Sequence, residues 1–426
     1  MHYFFLFSFF SLVVVETQTL WANPSPTKKV TKAKKTRSTG QEDSSKTEEK
    51  KTESEADDVT VAPGATAIKL LAKQAILIDA RTGRVLLEKH ADERMTPSSM
   101  SKMMTSYLIE EKIKKGELSL DMSFPVSEKA WRMGGSKMFV PLGGMVRLDD
   151  LLRGIIIQSG NDACIVAAEG IAGSEEQFVT EMNAAAKAMN LTNTQFMNTS
   201  GWPQEGHYST ARDLAALGLR IINDHPESYK IYGEKEFTFG TDSKGRPIKQ
   251  GNRNPLLYSD MGCDGIKTGH TDDGGHGIVA SFKDMGQRYI MVINGLKTMQ
   301  ARANDAKMIL AWAKQNFINK QLYKAGDIVE KAAPVWLGVK ETVPLVVTDD
   351  VSVLLPRTEQ SKVDIKIHFD SPLQAPLKKG DIVGKVTILA PSTQHEVALA
   401  AGEDVEKVNF LTRFFRSITY LLWGKA

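Results

Sequence analysis

Three short groups of residues carry the side chains that acyl transfer needs. Ser99-Met100-Ser101-Lys102 sets a hydroxyl at the start of a helical pattern with an amine three residues on, and one helical turn brings both to the same face. A serine placed there gains from the free N–H groups of a helix N-terminus, and a lysine of depressed pKa can take its proton. Ser159-Gly160-Asn161 follows the apolar Ile155-Ile156-Ile157, and its glycine permits a tight loop from which a hydroxyl and an amide project together. Lys267-Thr268-Gly269 falls on a predicted strand beside Gly265, where glycine marks the close approach of another backbone or a ligand. Each group alone says little. A Ser-x-x-Lys arises by chance about once or twice in a chain of this composition, and Ser-Gly-Asn also reads as a capped turn.

The elements that must hold these groups follow from the apolar pattern. Residues 75–87 read as two strands around the turn Asp79-Ala80-Arg81-Thr82-Gly83. A helical pattern starts at Ser98 and stops at Gly116; its methionines are core residues. Further helices are expected over 151–157, 163–171, 178–189 and 211–222, strands over 265–268, 277–282 and 289–293, and a last helix over 301–316. Strands from both ends of this region with helices between them predict an α+β domain whose antiparallel sheet is covered by helices. Beyond about Asn319 short β-type runs take over, and Val363, Ile365, Ile367 and Phe369 alternate with polar residues as in a half-buried strand. A small all-β domain is therefore expected before the C-terminal segment.

Order and spacing bind the three groups together. Separations of about 60 and then about 110 residues resemble the Ser-x-x-Lys, Ser-x-Asn, Lys-Thr-Gly set of penicillin-binding proteins and serine β-lactamases. The neighbouring text, Gln-Ser-Gly-Asn-Asp-Ala-Cys at 158–164, Glu-Lys-Glu-Phe-Thr-Phe at 234–239, Asn-Arg-Asn at 252–254 and Asp-Gly-Ile-Lys-Thr-Gly-His-Thr at 264–271, resembles the low-molecular-mass penicillin-binding proteins that are D-alanyl-D-alanine carboxypeptidases. The resemblance runs from about Ala67 to the C-terminus. It implies that Ser99 attacks the carbonyl between the terminal D-alanines of a peptidoglycan stem peptide, with Lys102 as general base and the N–H groups of Ser99 and His270 as oxyanion hole. Ser159 and Lys267 would pass the proton to the leaving D-alanine, and Asn161 would bind the substrate amide. Thr268, with Gly269 beside it and Arg302 assisting, would hold the terminal carboxylate. β-Lactam antibiotics would acylate the same serine, and no metal or cofactor is called for. A β-lactamase or a DD-endopeptidase on the same scaffold, or an inactive wall-binding protein, are the competing functions. The oligomeric state is left open.

The chain has 426 residues, 42% hydrophobic and 25% charged, with a net charge of +3. That is enough for two or three domains, and too balanced for nucleic-acid binding through the whole surface. Cys164 and Cys263 are too few for a disulfide framework or a zinc site, and are read as unpaired. His270 and His276 flank a glycine-rich turn without further ligands at metal spacing. The domain plan is a secretory signal at 1–22, a charged tether at 23–64, a catalytic domain at 65–320, a β domain at 321–404 and an amphipathic helix at 405–426. The signal rests on the apolar run Tyr3 to Val15, too short to span a bilayer; an uncleaved anchor or a buried core segment are the alternatives. The tether reads as solvated, or as a basic arm for anionic lipid or wall polymer. On a helical wheel Val408, Phe410, Leu411, Phe414, Phe415, Ile418, Leu421 and Leu422 share one half, with Arg413 and Arg416 opposite. Such a helix lies in a membrane surface or docks on its own domain. The expected location is the outer, periplasmic face of the bacterial cytoplasmic membrane.

Overall fold

A computed structural model describes residues 59–390 and 393–423; the expected signal lies outside them. Six antiparallel strands form the central sheet in the order β1-β3-β2-β10-β9-β8. They are β1 (Thr60–Val61), β2 (Gln74–Asp79), β3 (Val85–Lys89), β8 (Cys263–Thr271), β9 (Gly275–Asp284) and β10 (Gln287–Leu296). The hairpins between them arise as their turn residues require. Gly83 (φ 72°) closes β2–β3, while Met285 (φ 44°) and Gly286 (φ 79°) close β9–β10 in the left-handed region that matches strand twist. Strand periodicity divides two apolar cores between the faces. Ile76, Ile78, Val279, Ile290 and Val292 face helices α1 (Lys102–Lys114), α3 (Leu148–Ile156), α4 (Asn161–Ala172), α5 (Glu175–Ala188) and α6 (Ala211–Asp224). Leu77, Ile278, Ala280, Met291 and Ile293 face α7 (Met299–Asn316), with Trp312 at its centre.

Three small elements escaped the sequence pattern because they are short: α2 (Glu128–Arg132), and the paired strands β4 (Ser123–Pro125) and β5 (Met145–Arg147). The hairpin β6 (Glu236–Thr241) with β7 (Pro247–Gly251) also escaped it.

The domain boundaries shift from those expected. Thr60 and Val61 pair with Glu88 and Leu87, and Thr66 donates through its N–H to Asn316 Oδ1 (2.7 Å), so the expected tether at 23–64 overruns the folded domain by several residues. Two residues of strand are too few to show a period. At the far end β11 (Phe317–Tyr323) pairs with β14 (Val351–Pro356), which moves the expected break at 320/321 back to the end of α7. The remaining strands, β12 (Ile328–Trp336), β13 (Thr342–Val347), β15 (Asp364–Phe369), β16 (Leu373–Gln374), β17 (Ile382–Ala390) and β18 (Thr393–Ala401), form a sheet ordered β15-β17-β18-β13-β12-β16. As predicted, Ile365, Ile367 and Phe369 turn toward its core. The terminal helix α8 spans Phe410–Trp423 rather than starting at 405, because Val405 and Val408 still bond the β domain through Leu377 and Leu337. Asn409 caps it, its Oδ1 accepting from Thr412 N–H at 2.9 Å.

Candidate active site

The nucleophile candidate sits at a junction of three elements. A 3-10 turn, Ser98–Ser101, runs directly into α1 and carries Ser99 to the rim of a cleft of about 910 Å³. The loop before α4 brings Ser159 to one wall, where Asn161 opens the helix, and edge strand β8 forms the other with Thr268, Gly269 and His270. Glycine makes this approach possible. A Cβ on Gly269 would lie 2.9 Å from Pro97 O, and one on Gly201 (φ 76°) only 1.8 Å from Ser98 O. Gly201→Ala must therefore displace the turn that holds Ser99. It is expected to lower stability by roughly 2–4 kcal/mol in urea unfolding, against roughly 1 kcal/mol for Gly245→Ser in the exposed β6–β7 turn, which meets no neighbour but also holds a positive φ of 73°.

Lys102 is buried and its amine has three neighbours: Ser200 O at 2.6 Å, Asn161 Oδ1 at 2.7 Å and Ser99 Oγ at 2.9 Å. The first two can only accept. Asn161 keeps its oxygen toward Lys102 because its Nδ2 donates to Gly134 O (2.9 Å). A neutral amine has two protons and one lone pair, so two protons go to the acceptors and the lone pair is left for the Ser99 hydroxyl proton. Burial pulls the Lys102 pKa down to about 8; the Arg253 guanidinium lowers it too, while Cys164 and Asp162 oppose the shift. Free base is thus available near neutral pH.

Lys267 is held on β8 with its amine 3.0 Å from Ser159 Oγ and 3.1 Å from Thr268 O. Burial first, then the positive charges of Lys102 and Arg253, press its pKa well below the usual lysine range. Ser159 adopts φ 60°, an uncommon conformation for a non-glycine residue that turns its hydroxyl toward both the cleft and Lys267. Arg302 reaches the cleft from α7, its Nη1 3.5 Å from Gly277 O and Nη2 3.4 Å from Arg253 O. Those contacts are long, and its Nε has no protein partner. Burial draws its pKa down to about 10, but it stays cationic at neutral pH.

All nine residues expected from sequence meet at this cleft: Ser99, Ser159, Asn161, Thr268, Gly269, His270 and Arg302 line it, and Lys102 and Lys267 lie beneath, bonded to Ser99 and Ser159. Four others went unassigned. Ser200 supplies the carbonyl that fixes the Lys102 amine. Trp202 is a half-exposed wall of the cleft, and Arg253 donates to Ser136 Oγ across it. Asp162 is fully buried and accepts from Met138 N–H (2.8 Å), Phe139 N–H (2.8 Å), Val140 N–H (3.2 Å) and Ala163 N–H (2.9 Å), clamping the 136–140 loop against the Ser-Gly-Asn turn. The acidic residue directly after Ser-Gly-Asn, and the tryptophan after Ser200-Gly201, were the available signals. Cys164 and Cys263 are both free thiols, as expected, and burial raises their pKa values to about 12 and about 11.

Comparison with known proteins decides the family. Residues 59–298 match the model described as D-alanyl-D-alanine carboxypeptidase, and 317–407 match that of the penicillin-binding protein 5 C-terminal domain. The chain belongs to the D-alanyl-D-alanine carboxypeptidase family. The match begins at 59, where β1 enters the sheet, rather than at Ala67. The D-alanyl-D-alanine carboxypeptidase DacC of Escherichia coli is 39% identical over 351 residues, 80% of this chain and 86% of that one. Penicillin-binding protein 5 of Haemophilus influenzae superposes with a TM-score of 0.65 at 36% identity, covering 80% of this chain and all of that one. A penicillin-binding protein of Listeria monocytogenes, solved in its ampicillin-bound form, has a TM-score of 0.52 at 28% identity over 58% of this chain and 98% of that one. Among the described residues no helix of this carboxypeptidase-family chain is long and apolar enough to cross a membrane.

Proposed function

We infer that this chain is a serine-type D-Ala-D-Ala carboxypeptidase that removes the terminal D-alanine of peptidoglycan stem pentapeptides through an acyl-enzyme on Ser99. The observation that carries the reading is the Lys102 amine, whose two acceptor partners leave its lone pair to the Ser99 hydroxyl. Lys102 takes the Ser99 proton as Oγ attacks the scissile carbonyl, and the developing oxyanion meets N–H groups of Ser99 and His270. Edge strand β8 offers unpaired backbone groups along which an extended peptide can add as a further strand. Asn161 engages the peptide amide, Thr268 and Arg302 the terminal carboxylate. Ser159, against Lys267, relays the proton that Lys102 took to the departing D-alanine nitrogen, so that Lys102 and Ser159 both end as they began. The tetrahedral intermediate then collapses to the ester, and water completes hydrolysis.

β-Lactams react with the same serine by opening their strained amide. Among the described residues no glutamate lines the cleft, so none is poised there to speed deacylation. Incubation with benzylpenicillin is expected to leave a long-lived stoichiometric adduct; rapid catalytic turnover of the drug would make the chain a β-lactamase instead. A crosslinked muropeptide offered in parallel reports endopeptidase action.

The setting we propose is the periplasmic face of the cytoplasmic membrane, reached by export and held through α8. Phe410, Leu411, Phe414 and Phe415 are between 55% and 76% exposed, which argues against a helix docked on its own domain. Burial of that face in the acyl boundary supplies the affinity, and Arg413 adds attraction to anionic lipid. Phe414→Glu with Phe415→Glu is expected to release the full chain from anionic vesicles in a sedimentation assay, with turnover of a soluble peptide unchanged. Persistent sedimentation would move the anchor to another segment.

A further inference from the structure

The carboxylate end of the cleft holds a pair of imidazoles that the reaction as described leaves unused. His270 on β8 and His276 on β9 are register partners, and their rings stack with centroids 3.9 Å apart and planes 24° from parallel. Both line the cleft together with Thr268 and Arg302. The Nδ1 of His276 is buried without a hydrogen-bond partner, as is the Nε of Arg302. A buried polar atom left unpaired in a binding cleft is a place where a ligand or a proton is still to come.

We propose that His276, through its stacked partner His270, takes up one proton when the substrate carboxylate binds, making recognition of the D-alanine carboxylate proton-linked. This rests on the reading that Thr268 and Arg302 hold that carboxylate. Two imidazoles 3.9 Å apart accept one positive charge far more readily than two. In the empty cleft burial, then His270, then Arg302 hold His276 below the usual histidine range. The charges around it are the Arg302 guanidinium from α7, Arg253 across the cleft, and the Asp272 carboxylate on the turn that leaves β8; Leu296, its partner on β10, is apolar. A carboxylate arriving beside Arg302 offsets one of the charges that oppose protonation. The imidazole then gains a proton from solvent, and the carboxylate gains a second cationic neighbour. The one bond formed is the imidazole N–H, its proton drawn from solvent, and no substrate bond changes, so the balance is one proton taken up per carboxylate bound.

The linkage has a definite sign. Protonation that favours the bound state tightens binding as pH falls, by about tenfold for each unit by which the carboxylate raises the imidazole pKa. The window lies near and below pH 6.5, apart from that of Lys102 near 8. Calorimetric titration of a blocked acyl-D-alanyl-D-alanine peptide into full-length Ser99→Ala protein, in two buffers of different ionisation enthalpy across pH 5.5–8, reads proton uptake directly. Uptake below pH 7 that disappears in Ser99→Ala/His276→Gln and in Ser99→Ala/His276→Asn, with the peptide still binding at pH 8, is the expected result. Uptake unchanged in the glutamine and asparagine variants, or absent below pH 7 in the parent, overturns the inference. Mass spectrometry of the wild-type chain with benzylpenicillin separates the two levels: lack of an adduct on Ser99 defeats the carboxypeptidase reading itself, whereas a normal adduct with no linked proton defeats only the role of His276.

Discussion

Ser99→Ala is expected to abolish the benzylpenicillin adduct and to reduce D-alanine release by about a thousandfold or more, the scale seen when a covalent nucleophile is deleted. Its neighbours should behave differently for reasons visible in the fold. Ser98 is buried and its Oγ is shared with Thr271 Oγ1 at 2.9 Å. Ser101 is buried too, its Oγ 2.8 Å from His207 Nε2, whose pKa burial pushes down to about 4, so that the ring stays neutral. Neither hydroxyl opens to the cleft or touches the Lys102 amine. Ser98→Ala and Ser101→Ala should therefore keep the adduct, with Ser101→Ala lowering stability by about 1–2 kcal/mol for the partner it removes. Peptide mapping of the labelled protein checks all three; an adduct on Ser98 or Ser159 would overturn the assignment.

The second large effect is expected from Lys102→Arg. A guanidinium has no lone pair to accept a proton near neutral pH, and it fills the space between Ser200 O and Asn161 without serving Ser99. Loss of a positioned general base lowers acylation by about 10²–10⁴-fold. In the wild type the same group sets the pH profile. Lys102 is a base only when deprotonated and its pKa lies at about 8, so the acylation rate should fall about tenfold per unit as pH drops below that value and level off above it. The arginine variant should lose this limb while keeping its thermal transition. Lys267→Arg tests independence: it faces Ser159 rather than Ser99, so its loss is expected in proton delivery to the leaving group, with acylation by β-lactams less affected than peptide turnover. Near-normal acylation in Lys102→Arg, followed by stopped-flow fluorescence, would assign the base to another group.

How much of this was legible beforehand depended on the length scale of each signal. Helices such as Ala211–Asp224 and strands such as Gln287–Leu296 carry a period over many residues, and their positions were readable to within a few residues. β1 was not, because Thr60–Val61 is held by its pairing with β3 rather than by any pattern of its own. The start of α8 was misplaced for the opposite reason: Val408 fits the apolar half of the wheel, yet its N–H bonds Leu337 O in the β domain. At the site, the three motifs named the reacting groups, but nothing local said that a carbonyl from Ser200, 98 positions away, would orient the Lys102 amine. Arg253 and Asp162 act the same way. Their roles come from chain segments that meet only in the fold, as does the stacking of His270 on His276 across a hairpin.

Free D-alanine can be followed as the full-length protein acts on a stem pentapeptide ending in D-Ala-D-Ala. One equivalent of D-alanine per peptide is expected, with a tetrapeptide as sole co-product and no loss of rate in chelator, since every reacting group named above is a side chain or backbone N–H. Cleavage at any other bond, or an intact pentapeptide in the presence of a protein that has been shown to be folded, would contradict it.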